Sequence, residues 1–374
     1  MQVYQGASTL TDATEAVAEA AAGMPATLEM LFVFSSTKQD PDTVAACLAE
    51  RFPGVPLAGC TTAGEHLSGA HSIGGLVLAG LDESGLVWSS VNVPKVSEFG
   101  SAEAKALAED LFQASGMDPE EMDPETAVCL LFVDGLQGVE ERLSSELAAA
   151  LQGVPLAGGS AGDDLKFEKT HVYGPQGAQS NAASVVMARS LNGTPIQILK
   201  HQHFTSTPES VVVTQAEGRR VHEFDGLPAL EGYARALACA PEEVNGDVSF
   251  LNPLTFACNG ELYVRSIQAI NPDGSIDFYC AVEEGMVLDI GGHADMTQSL
   301  AEGLAWSQRP AFVVGFNCIL RALEASGGSL HAEQGQVLTQ ACQNMIGFDT
   351  YGEQLNGLHI NQTLVAVGFG RAAA

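Results

Sequence analysis

The chain has 374 residues, of which 46% are hydrophobic, enough for two domains with sizeable cores. Lys and Arg number 16 against 46 Asp and Glu, a formal charge of −30. That balance argues against nucleic acid and anionic membrane surfaces as partners, because both are gripped by basic patches. The eight cysteines are scattered with no CxxC spacing, so they read as free thiols of a reducing cytoplasm and not as a structural zinc site. The opening segment MQVYQGASTLTDATEA has no basic region followed by an apolar core, and no run approaches the length of a membrane span. A cytoplasmic protein without membrane attachment is the expectation.

The elements follow in chain order. LEMLFVFSS (28–36) is a short, apolar, β-favouring run and predicts a buried strand. Asp40-Pro41-Asp42 opens a helix with an acidic cap before proline, and Val44, Ala45, Leu48 and Phe52 give it an apolar face. Pro53-Gly54 stops it, and VPLAG returns as a second strand that ends in a Gly-rich turn. The same grammar recurs in VCLLFVDG (128–135), a helix from about Val139 to Leu151, and VPLAGG. It recurs again in AFVVGFNC (311–318), helical stretches through Met345, and IGFDTYGE. Between the second and third copies lie a hairpin turning at Glu217-Gly218, the helix LPALEGYARALA, and a hairpin with Asn271-Pro272-Asp273-Gly274 as its turn. INQTLVAVGFG (360–370) reads as a closing strand.

The three turns are related phrases. Residues 54–65 read GVPLAGCTTAGE and residues 153–163 read GVPLAGGSAGD, while 347–353, GFDTYGE, match GCTTAGE at Gly, Thr, Gly and Glu. One strand–helix–strand unit used three times predicts parallel pairing and an α/β (mixed α+β) fold, with each Gly-rich corner at the carboxyl end of a strand. In open α/β sheets such ends tend to hold ligands. Asn192-Gly193 marks a turn after the second copy, so the domains are set at 1–192 and 193–374. No Walker loop, GxSxG elbow or HExxH occurs, and the chain is read as a binding protein, not an enzyme.

GCTTAGE and GGSAGDDLKF, followed by Tyr173-Gly174, resemble the amino-terminal part of the FIST family of bacterial sensory domains, and the second half resembles the FIST carboxy-terminal part. The fold implied is two FIST-type halves. Four stretches are similar to a narrower subset, the haem-binding, nitric-oxide-sensing FIST proteins: FDGLPALEGYARAL, ELYVRSIQAINPDGSIDFYCAVEEGMVL, NCILRALE and GFDTYGEQLNGLHINQT. Asn317 departs from the pattern, standing where an acidic residue is expected before the Cys, and LNPLTFACNG departs around Asn252. The likeness implies a signal-transduction sensor in a two-component system. It would hold a non-covalent b-type haem, read nitric oxide and regulate a histidine kinase or related signalling protein. The alternative is a FIST sensor of a small polar metabolite such as an amino acid, held without haem by backbone N–H groups of the Gly-rich corners.

Haem needs an axial ligand and cations near its propionates. Each of the nine histidines, taken alone, reads first as a solvated or hydrogen-bonded side chain. The resemblance raises His359 as first axial ligand to the iron and His203 as second. His201 and His203 share a face of KHQHF if that segment is a strand, and His359, Asn361 and Thr363 share one if the chain there is extended. His66 and His71 read as members of a polar turn. Arg265 and Arg321 lie in the family-like phrases and suit either propionates or an internal acid such as Glu353, with Tyr351 beside it. Cys318 reads as a packed apolar group, and Asp163 and Asp164 as turn caps.

Overall fold

The computed structural model describes residues 1–118, 123–258, 260–326 and 329–372. Two compact units emerge. The first comprises residues 1–201, 301–359 and 364–374, and the second residues 202–300 and 360–363. The third strand–helix–strand copy therefore packs with the first two.

The first unit is built from three six-stranded sheets of matching design. At the heart of each is a parallel pair: Met30–Ser35 with Leu57–Thr61, Ala127–Val133 with Leu156–Ser160, and Phe312–Cys318 with Met345–Thr350. All three first strands are buried along their whole length, as expected of parallel strands covered on both faces. The two faces separate by alternation. In the first copy Leu31, Val33 and Leu57 pack beneath Val44, Ala45 and Leu48 of the helix Pro41–Arg51 and Phe52, which caps its end. In the second, Cys129, Leu131 and Val133 pack with Leu143, Leu147 and Leu151. The opposite faces meet in a common aromatic centre, where Phe34 lies 4.6 Å from Phe348 and 5.7 Å from Phe132, and Phe132 lies 5.7 Å from Phe316. Asp40 caps its helix as expected, accepting from Thr43 N at 2.9 Å.

Each Gly-rich corner lies at the carboxyl end of its strand, and each hands the chain to a different sheet. After the first corner, Glu65–Leu67 pairs with Met345–Thr350 of the third sheet. After the second, Val172–Gly174 pairs with Leu57–Thr61 of the first. After the third, Glu353–Leu355 pairs with Leu156–Ser160 of the second. The exchange is cyclic, so every sheet is completed by a strand from another copy.

The second unit is antiparallel. The long strand Phe204–Glu217 pairs with Val287–His293 on one side and Arg220–Phe224 on the other, and Leu254–Cys258 and Ile276–Phe278 extend the sheet. The helix Ala229–Ala236 places Ala229, Tyr233 and Ala234 on a core containing Val211, Val213, Phe224 and Leu288. Both hairpins lie where the turn residues place them, with Gly218 and Gly274 in the left-handed region that glycine favours. No helix among the described residues is long and apolar enough to cross a membrane.

Candidate functional site

The three corners interlock through their backbones within the first unit. Gly162 N donates to Thr61 O at 2.9 Å and Asp164 N to Thr62 O at 3.0 Å. Tyr351 N donates to Ser160 O at 3.0 Å and Ser160 N to Gly352 O at 2.9 Å. Asp349 N donates to Gly64 O at 2.8 Å and Ala63 N to Asp349 O at 3.3 Å. The corner amides thus bond one another in a closed ring. The side chains repeat as well: Thr62 Oγ1 donates to Glu65 Oε1 at 2.6 Å, and Thr350 Oγ1 donates to Glu353. Both glutamates are fully buried. Burial pushes the Glu65 carboxyl up to about 7 against hydrogen bonds from Thr62, Gly75 N and Ser72. In the shorter second copy Asp163 takes a different part, accepting from Tyr351 Oη at 2.6 Å and from the amides of Phe167, Glu168 and Lys169. Tyr351 also stacks on Phe167, with ring centroids 4.8 Å apart.

A polar cluster surrounds Asp349, which is 1% exposed. His66 Nε2 lies 2.7 Å from Oδ1 and His71 Nε2 2.8 Å from Oδ2. Asn317 Nδ2 donates to Oδ1 at 2.7 Å, and Arg321 Nε donates to Asn317 Oδ1 at 3.1 Å. Burial works against the Asp349 charge, but His66 and His71 outweigh it and hold the carboxyl well below the usual carboxylate range. Arg321 is 1% exposed. Burial draws its guanidinium down while Glu324, Cys318, Glu353 and Asp349 favour its charge. Glu353 and Asp349 thus act on its charge from within the same unit. His66 and His71 are not in a turn: they sit opposite each other on the paired strands Glu65–Leu67 and Ala70–Ser72. The signal for this cluster was present in the repeat, because the third copy has Asp349 where the first has Thr61, a charge inside an apolar strand.

The six residues raised as haem contacts divide between the units. His359, Arg321, Tyr351 and Glu353 belong to the first, His203 and Arg265 to the second. His359 is 2% exposed and lies at 3.1 Å from Gln354 Nε2 through its Nδ1. The same amide nitrogen donates to Ser160 Oγ at 2.9 Å and Gly352 O at 3.3 Å. The strand carrying His359 ends at Ile360, and Gln362 has φ 50°, so the extended face expected through Asn361 and Thr363 is not formed. Nor do His201 and His203 share a strand, since Gln197–His201 ends between them. In the second unit His203 is 1% exposed, its ring 4.3 Å from that of Phe204 and edge-on to His293 at 5.0 Å. Arg265 lies 4.6 Å over the ring of Phe256 and donates to Val264 O at 3.3 Å.

The first unit thus carries repeated corners and a polar cluster, and the second unit is antiparallel. The FIST N domain matches residues 29–227 and the FIST C domain residues 229–356. The chain belongs to the FIST family, whose domains are signal-transduction sensors and not catalysts. No curated protein matches the chain. Among solved structures it is similar to cyanuric acid hydrolase from A. caulinodans, with 9% identity over 99% of each chain and a TM-score of 0.38, too distant a likeness to carry chemistry across.

Proposed function

We propose that the chain is a cytoplasmic sensor that binds haem, reads nitric oxide and regulates a histidine kinase or related signalling partner, with His203 as the axial ligand. The observation that carries this reading is the setting of His203. An imidazole withdrawn from water and flanked by the rings of Phe204 and His293 has the character of a haem ligand. Arg265, in the same unit, is the cation of the pair suited to a propionate, because Arg321 already serves the buried acids around Asp349.

His359, which the resemblance raises as first ligand, is the second candidate, buried at 2% exposure. A ligating imidazole binds metal through one nitrogen and donates from the other to an acceptor. Here Nδ1 lies 3.1 Å from Gln354 Nε2. The haem iron, when bound, supplies the site that takes nitric oxide; the protein's part is to hold the ring, exclude water and respond. A polar metabolite gripped by the corner amides has less support, since six of those N–H groups donate to carbonyls of neighbouring corners. The test is the absorption spectrum of the full chain titrated with haemin. Uptake near one equivalent, with a Soret band that shifts on adding nitric oxide, is expected. Absence of stoichiometric uptake would overturn the haem reading while leaving the family assignment intact.

A further inference from the structure

The cluster around Asp349 has features that hydrogen bonding alone does not require. Three donors stand on three neighbouring strands: His71 opposite His66 across a hairpin, and Asp349 on the strand that pairs with that of His66. Strands hold side chains more rigidly than loops do. The two imidazole Nε2 atoms approach different oxygens of one carboxylate, and the three ligand atoms lie within 4.8 Å of one another. The imidazoles keep 14% and 12% side-chain exposure while Asp349 has 1%. Behind that carboxylate, Asn317 donates to Oδ1 and Arg321 holds Asn317, the kind of outer support that orients metal ligands. Gly64 completes the setting, since a Cβ there would collide with Asp349 Oδ2 and His71 Nε2.

We propose that His66, His71 and Asp349 form a binding site for a divalent transition-metal ion of the zinc class, with a fourth position open to water. Two imidazoles and one carboxylate are a ligand set that zinc accepts. Metal–ligand bonds of about 2.0–2.2 Å place tetrahedral ligand atoms roughly 3.3 Å apart, so the 2.7 and 2.8 Å contacts widen by about half an ångström as the ion enters. Each imidazole then binds through Nε2 and carries its proton on Nδ1, and no oxidant or reductant is needed. Asn317, which departs from the acidic residue expected at its position, is explained by this arrangement: an amide can donate to Asp349, whereas a second carboxylate would oppose it.

The experiment is equilibrium dialysis of the full chain, without haemin, against zinc, with metal content read by elemental analysis, and a visible spectrum of the cobalt-loaded protein. It is independent of the haem reading. One zinc per chain is expected, with the cobalt form showing d–d bands and no thiolate charge-transfer band. His66→Gln and His71→Gln should each abolish stoichiometric uptake, and Asn317→Ala should weaken it about 10- to 100-fold. Far-UV circular dichroism identifies any variant that fails to fold, and the wild-type cobalt spectrum decides in that case. No zinc uptake by the wild type, a thiolate band in the cobalt form, or full uptake by a folded His66→Gln/His71→Gln protein would each overturn the proposal.

Discussion

Two buried carboxylates in the first unit are shifted in opposite directions by what faces them. Asp349 receives His66, His71 and Asn317, and these hold it ionised despite its burial. Glu65 receives only uncharged donors, Thr62, Ser72 and the amide of Gly75, and burial prevails, raising its carboxyl from 4.5 to about 7. The folded chain therefore keeps a proton on Glu65 that the unfolded chain has released. Its stability contribution is complete below about pH 4.5 and is lost as pH rises through about 7. Urea unfolding of the wild type should show this fall, on the order of 3 kcal/mol across the window, and Glu65→Gln should flatten it whatever the variant's absolute stability. Equal pH slopes in the two proteins would show that Glu65 is ionised when folded. Of these residues, Glu65 and Glu353 were legible as repeat positions. The partnership of His66, His71 and Asp349 was not, because it joins positions 283 and 278 residues apart through a pairing that no local pattern encodes.

At the level of elements, the three parallel pairs depend on one glycine in each copy. Gly59, Gly158 and Gly347 occupy the same repeat position, and a Cβ at each would run into the backbone carbonyl of the neighbouring strand, at Val33, Leu131 and Gly315 respectively. Gly59 also has φ 153°, which other residues rarely adopt. Gly59→Ala should cost at least about 3 kcal/mol in denaturant unfolding, through a clash with backbone that cannot turn aside. Gly246→Ala is the control: a Cβ there meets nothing within 4 Å, at the start of the helix Gly246–Leu251, and it should be neutral or slightly stabilising. Similar losses in both would remove the steric argument. The strand–helix–strand units were readable because hydrophobic period, caps and Gly-Pro punctuation are local. The cyclic exchange after each corner was not, since Glu65–Leu67, Val172–Gly174 and Glu353–Leu355 are only three residues long and choose partners far away in the chain.

On the scale of the molecule, the repeated first unit and the unrepeated second unit carry different kinds of information. In the first, most polar side chains of the corners are engaged with one another: Tyr351 with Asp163, Glu353 with Thr350, and Arg321 with the cluster around Asp349. These were raised from sequence as haem contacts, and each has hydrogen-bond partners within the unit. The second unit holds His203, Phe204, His293 and Arg265, which sequence pattern alone could not rank because a lone histidine carries little signal without its neighbours. The most direct measurement compares haemin-reconstituted wild-type, His203→Ala and His359→Ala proteins by ferric and ferrous-nitrosyl absorption, with far-UV circular dichroism as the check on folding. His203→Ala is expected to lose the wild-type spectrum and His359→Ala to keep it. A His359→Ala protein that loses the spectrum while His203→Ala retains it would contradict the account.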